Sequence, residues 1–385
     1  MPVIDLIASY ADEMTALRRD FHEHPELGFE EVRTAGIVAA KLESYGIAVT
    51  TGIGRTGIVG VLEGKRPGRR IGLRADMDAL PIDERTNLAY ASKIPNVMHA
   101  CGHDSHTAML LGAARYLAET RDFAGTVIFI FQPAEEGLGG ARAMIADGLF
   151  ERFPCDEIYG MHNSPYHGPG EIGVKPGDAM AGANFFDIRV RGVGSHAASP
   201  EHSSDPIIIM SGLVAQMQSI VSRNVGGTEA AVLSITQFHS GAAYNVIPED
   251  AVIAGTVRYF DPKTADKISE RMRALCAGFA LAHQVEIECD IRNVFDVLIN
   301  DAALSQEMID AAAEVMGADK AEIKDNRVMG SEDFADMLRV VPGAYCTIGH
   351  KGDVPLHNPG FIIDDDMLPV GASIYARMVE RRGAA

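Results

Sequence analysis

Residues 125–136 read GTVIFIFQPAEE. From Val127 to Phe131 every side chain is apolar and no polar residue alternates with them, the pattern of a strand buried on both faces of a sheet. Pro133 closes the run, and two carboxylates, Glu135 and Glu136, follow at once. Strands alternating with helices make an α/β architecture, and in open α/β sheets ligands bind beyond the carboxyl ends of the strands. The stretch thus predicts a fold and also the rim of that fold where chemistry would be done.

The flanking sequence agrees. RTGIVGVLEG (55–64), RRIGLRADMD (69–78) and DEIYGMHNSP (156–165) read as further strands, with helical patterns at 34–46 and 107–119. Near residue 183 the character changes to strand, helix, strand, strand, helix, strand, the split βαβ arrangement of a small α+β domain. Its second helix places Ile268, Met272, Leu275, Phe279 and Ala282 on one face. Beyond about residue 293 helix and buried strand return. The expected fold is α/β, a mixed sheet flanked by helices, with an inserted ferredoxin-like α+β domain. The expected division is 1–182 plus 293–385 for a metal-binding catalytic domain and 183–292 for a lid and dimerisation domain.

Composition sets the bounds. A chain of 385 residues is comfortable for two domains, and 47% hydrophobic with 23% charged residues is ordinary for a soluble globular protein. The net charge of −19 argues against nucleic acid or an anionic membrane surface as partner. The N-terminus reads as an amphipathic helix rather than a signal peptide. No window reaches the ~18 consecutive apolar residues of a membrane span. Five scattered cysteines without a CxxC pair argue against a disulfide framework and for a reducing cytoplasm.

Several strands end in residues that bind metals or move protons. Asp76 and Asp78, Glu135 and Glu136, His162, and His350 with His357 each follow an apolar run, and Cys101 and His103 stand just before a helix in HACGHDSH. Such convergence of Cys, His and carboxylate on one rim is the main argument for a metal site. Cys101 taken alone could be a small buried hydrophobe, or a nucleophile with His103 or His106 as base. The nucleophile reading leaves the two glutamates without a task. Neighbouring residues in extended chain point apart, so Glu135 and Glu136 are expected to do different jobs. The glycines after them lack the Lys-Ser/Thr of a phosphate loop. Asp76 and Asp78 either cap a turn or orient histidine ligands. Asp104 and Ser105 read as helix caps, His99 and His106 as supporting residues, and His22, His24, His167, His202, His239 and His283 as structural or exposed.

RRDFHEHPELGFEE (18–31), LRADMDALPI (73–82), MHACGHDSHTAMLLGAA (98–114), QPAEEGLGGA (132–141), GVGSHAASP (192–200), NVIP (245–248) and LHNP (356–359) resemble the co-catalytic amidohydrolase branch that contains hippurate hydrolase. Its other members include N-acyl-amino-acid deacylases, N-acetyldiaminopimelate deacetylase and indoleacetyl-amino-acid hydrolases. The resemblance runs nearly end to end. It implies that Cys101 bridges two divalent metals, with His103, Glu136, His162 and His357 as the other ligands. It also implies Glu135 as general base and acid, and Asp78 as the aspartate that orients a ligand. In related peptidases a His-x-Asp pair ligates and a carboxylate bridges, whereas here Asp76 and Cys101 take those places.

The expected reaction is cleavage of an N-acyl (acetyl, benzoyl or aryl-acyl) L-amino acid by metal-activated water. Glu135 would take the water proton and return it to the leaving amine. His196, which in the related family reaches the partner subunit's site, would be an oxyanion donor. Asn245 and Arg258 are candidate carboxylate binders, and Ser331 and Glu332 are expected to border the pocket. Zn²⁺, Mn²⁺, Co²⁺ or Ni²⁺ suit the donors, and the resemblance implies a homodimer. The alternatives are a dipeptidase or carboxypeptidase on the same scaffold, or a non-catalytic metal or small-molecule binder.

Overall fold

The computed structural model describes residues 3–350 and 352–383. They form two compact units, one of residues up to 179 with 298–327 and 333 onward, the other of 180–297 with 328–332.

The larger unit is built on an eight-stranded sheet, in the order Ala48–Ile53, Gly57–Glu63, Ala124–Gln132, Arg66–Asp76, Glu157–Ser164, Gly343–Gly349, Ile172–Val174, Ala321–Ile323. The four strands from Ala124–Gln132 to Gly343–Gly349 run parallel, and antiparallel pairs lie outside them. The strand that carries Val127–Phe131 is interior, as its apolar run requires, and Phe129 and Phe131 are wholly buried. Each such side chain contributes about 1.5–3 kcal/mol by leaving water. Helix His103–Thr120 is buried from His103 to Ala114 without a polar stripe, the mark of a helix enclosed on all sides. It packs on the Ala11–Glu23 and Leu368–Arg382 helices as well as on the sheet. Because the central strands are parallel, Asp76, Gln132, Ser164 and Gly349 all end on one rim.

The second unit holds a four-stranded antiparallel sheet, ordered Ala231–Ser240, Asp250–Tyr259, Gly182–Arg191, Glu286–Phe295. The helices Pro206–Asn224 and Pro262–His283 fall at the two αβ crossings of the split βαβ pattern. Each begins with proline after an aspartate whose side chain accepts backbone N–H groups, Asp205 from Ile207 and Ile208 and Asp261 from Lys263. The expected helix face is buried at Ile268 and Met272 and half-buried at Leu275 and Phe279, but it fades at Ala282, which is exposed. No helix among the described residues is long and apolar enough to cross a membrane.

Candidate metal centre

The turn before helix His103–Thr120 sets the centre. Gly102 has φ 91°, and a Cβ there would lie 2.2 Å from the Asn163 amide nitrogen, so only glycine fits. That amide donates to the Cys101 carbonyl at 2.5 Å and pins the turn to the strand that carries His162. Gly102 occupies the cap position and has no side chain to offer, while Asp104 Oδ1 accepts the Ser105 N–H at 3.0 Å. The expectation that Asp104 and Ser105 are the cap residues is corrected, since Gly102 holds that position. Ser105 Oγ donates to the Gly102 carbonyl at 2.6 Å, and Asp104 is drawn into a buried ion pair with Arg18 at 2.9 Å and a hydrogen bond from His22 at 2.8 Å.

Among the donor groups around this turn, two share Cys101. Cys101, His103 and His162 make one, and Cys101, Glu136 and His357 the other, with donor atoms in each within 4.8 Å of one another. Cys101 Sγ is 3.3 Å from His162 Nε2 and 3.4 Å from His357 Nε2, and the latter is 3.3 Å from Glu136 Oε1. Glu135 joins His103 and Glu136 within the same limit. The two glutamates do not diverge as extended chain would make them. Ala134 is left-handed (φ 54°) and both glutamates sit in a turn, which cancels the alternation.

Hydrogen bonds decide which ring nitrogens are available. Asp78 Oδ1 accepts from His103 Nδ1 at 3.2 Å and Asp78 Oδ2 from the Glu136 N–H at 2.9 Å, which leaves His103 Nε2 as the ring nitrogen free for the site. His162 Nδ1 donates to the Asn163 carbonyl at 2.6 Å and turns Nε2 toward Cys101. His106 differs, because its Nδ1 donates to Asp76 at 2.6 Å while its Nε2 accepts the Asn163 N–H at 2.9 Å. Both of its nitrogens are taken, and it serves as a brace.

The electrostatics call for a cation. His103 Nε2 and Glu136 Oε1 are buried, have no hydrogen-bond partner, and face each other at 4.0 Å. A buried ring nitrogen and carboxylate oxygen so placed are satisfied by a positive charge between them, either a proton on the ring or a metal ion. Burial pushes the Cys101 thiol well up, and Glu136, Glu135 and Asp76 push it further. Burial opposes protonation of His103, yet Asp76, Asp78 and Glu136 outweigh it and push the ring up to about 10. A thiolate, imidazoles and a carboxylate that share this field fit divalent metal ions.

Sequence reasoning missed the brace behind the rim. Arg74, buried in its strand, pairs with Asp76 at 2.6 Å and with Asp333 at 3.1 Å, and Gln132 Nε2 donates to Asp333 at 2.7 Å. An arginine within the otherwise apolar run Ile71–Ala75 was the available signal. Asn163 was missed as well, although it directly follows His162. His350 sets its ring edge on Phe361 and is absent from the donor groups among the described residues.

The remaining predicted residues belong to the second unit. His196 is exposed, and its Nδ1 accepts the Ala198 N–H at 3.1 Å, so Nε2 carries the proton outward. The Asn245 carbonyl accepts from the Ala197 N–H at 3.0 Å, and Asn245 is exposed. Arg258 donates to Ser331 Oγ, which donates to the Ala181 carbonyl at 2.7 Å. Burial lowers the Arg258 guanidinium below its ordinary value.

Residues 72–381 match the model of peptidase family M20/M25/M40. The chain belongs to that family. Hippurate hydrolase of Campylobacter jejuni is 43% identical over 98% of both chains. N-acetylcysteine deacetylase of Bacillus subtilis is 38% identical over 94% of each. Thermostable carboxypeptidase 1 of Saccharolobus solfataricus is 35% identical over 95% of this chain and 94% of its own. Among solved structures, the Bacillus subtilis YXEP protein, described as a dinuclear metal binding peptidase from the M20 family, superposes with a TM-score of 0.81. It is 34% identical over 97% of this chain and 98% of its own. This M20 chain is an amidohydrolase, a hydrolase acting on amide bonds, and its donor clusters are those of a divalent-metal site.

Proposed function

We propose that the protein hydrolyses N-acyl L-amino acids, with an acetyl, benzoyl or aryl-acyl group, to a carboxylate and a free amino acid. The observation that carries this reading is a buried carboxylate, Glu135, grouped with His103 and Glu136 beside a shared thiol. A metal-binding protein without catalysis has no use for an additional buried carboxylate at that point. The hippurate hydrolase and deacetylase relatives support the substrate class.

Cys101, His103 and His162 would hold one divalent ion and Cys101, Glu136 and His357 a second, with Zn²⁺ or Mn²⁺ as the first candidates. Bound ions of this kind supply water activation near neutral pH and polarise the amide carbonyl. Asp78 fixes His103 through Nδ1, so that Nε2 always faces the site. Glu135 accepts a proton from the attacking water as the new C–O bond forms. It then delivers that proton to the amide nitrogen as the C–N bond breaks, and ends in its starting state. His196, protonated at Nε2, suits the developing oxyanion, and Arg258 and Asn245 suit the substrate carboxylate. In this reading residues 183–292 act as lid and dimerisation domain of a cytoplasmic homodimer.

The carboxypeptidase relative favours a second reading, cleavage of unblocked peptides. A panel of hippurate, N-acetyl amino acids and dipeptides, run with metal quantification, separates the two. Faster turnover of N-acylated substrates supports the proposal, and preference for free-amine dipeptides replaces it. Glu135→Gln should keep its metal and lose about 10³-fold in kcat, whereas Cys101→Ser should lose metal. Near-normal turnover by Glu135→Gln would falsify the assigned mechanism.

A further inference from the structure

The N-terminal motif RRDFHEHPELGFEE has no part in the chemistry above, yet its last residue lies against the turn that carries Glu135. Glu31 is wholly buried. Its Oε1 accepts the Ala134 N–H at 2.9 Å, and its Oε2 accepts the Thr56 hydroxyl at 2.5 Å. Ala134 is the residue with φ 54°, in a region that residues with a Cβ seldom enter. Such a conformation persists only where its surroundings enforce it.

The turn is suspended at two points. On one side of Glu135 the Ala134 N–H is held by Glu31, and on the other the Glu136 N–H is held by Asp78. The Asp78 bond also serves His103, so it sets the ligand side of the turn. The Glu31 bond touches no donor, and what it fixes is the direction in which the chain enters Glu135.

The approach of the two segments is built in. A Cβ on Gly28 would lie 3.0 Å from Ala134 Cα and 2.9 Å from Leu138 Cδ1, so glycine is what lets the motif reach the turn. Farther back, Leu27 bridges Ala79 and the Ala79 N–H donates to the Glu26 carbonyl at 2.8 Å. The same motif segment is thereby laid along the stretch that contains Asp78.

A buried carboxylate is a costly way to fill space, and an apolar side chain would serve packing better. Its retention makes sense where a backbone N–H needs a strong, directed acceptor. We propose that Glu31 is a positioning residue for Glu135, acting through the Ala134 N–H to hold the turn in its left-handed entry. The inference rests on the reading of Glu135 as proton carrier.

The test measures kcat, KM and bound metal for Glu31→Ala, Glu31→Gln and Glu135→Gln side by side. Glu31→Ala should lose about 100-fold in kcat, the scale of a misplaced catalytic group. KM and metal content should be unchanged, because Glu136 keeps its Asp78 bond. Glu31→Gln still offers an oxygen to Ala134 and should restore most of the loss. Wild-type kcat in Glu31→Ala, a loss only in proportion to missing metal, or a glutamine variant as impaired as alanine each overturns the positioning role. Full turnover by Glu135→Gln instead overturns the underlying reading, whatever Glu31 does. If Glu31→Ala does not fold, Thr56→Val removes only the hydroxyl that steadies the carboxylate. It should lower kcat at constant KM, and an unchanged kcat overturns the proposal.

Discussion

The two units bury different kinds of residue. Among the described residues of the second unit, Glu332 at the end of its 328–332 segment is the one buried charged side chain. That interior consists of Phe186, Ile188, Met210, Leu213, Met217, Ile253, Met272 and similar residues between sheet and helices. The larger unit buries Arg18, Glu31, Arg74, Asp76, Asp78, Asp104 and Asp333 as well as an apolar core. Each buried ion costs several kcal/mol in lost hydration, and pairing recovers that only in part. Stability therefore accounts for the first interior and leaves the second unexplained. The charges of the second are spent in fixing donors at a sheet rim.

The comparison breaks if the charges prove unimportant. Asp104→Asn takes one of two carboxylates from the buried Arg18 guanidinium, leaving Asp365 at 3.4 Å, and should cost about 3 kcal/mol in denaturant unfolding. An effect within error would mean that Asp104 is ornamental. Leu213→Ala, in the apolar interior, should cost about 3 kcal/mol through the cavity it leaves, with metal per chain unchanged. Loss of metal in that variant would show that the two interiors are not separate in function.

Acid sharpens the contrast. Burial would raise the Asp104 carboxyl, but Arg18 and His22 prevail and hold it below the usual range. A group depressed in this way stabilises the fold above its unfolded value near 4, and the contribution is lost as the pH falls below that. Wild type should accordingly lose more stability between pH 7 and pH 3 than Asp104→Asn does, as read by urea midpoints. The smallest effect belongs to the exposed cluster of Arg292 with Asp187 and Asp290. Arg292→Ala should shift stability by less than about 1 kcal/mol, and a larger shift would place an unexpected charge requirement in the second unit.

What could be read from sequence followed from periodicity and spacing. The run Val127–Phe131 gave the interior strand, and the polar residues after several strands gave the rim. The edge strands Ala48–Ile53 and Ala321–Ile323, and the three-residue strand Ile172–Val174 beside the latter, left no pattern because they are short or half-exposed. The candidate donors could be named because their side chains carry recognisable chemistry. Of their bracing, Asp78 and His106 could be named, but the part that depends on backbone groups could not. Asn163 acts partly through its N–H, Gly102 through a missing Cβ, and the glutamate pair through the φ of the preceding alanine. Asp104 was misread because a helix-start aspartate has the same local signature whether it caps a turn or pairs with an arginine distant in sequence.

The five candidate donors are unequal in one respect. His103 is sealed, whereas the His357 side chain is about half exposed (52%), on a loop where its N–H is held by the Ala100 carbonyl at 2.8 Å. A cation held with His357 would lie on the exposed side of the cluster, and one held with His103 and His162 on its more buried side. A chelator should then strip the molecule in two steps of unequal speed. Protein left with a single ion would retain it on the sealed side.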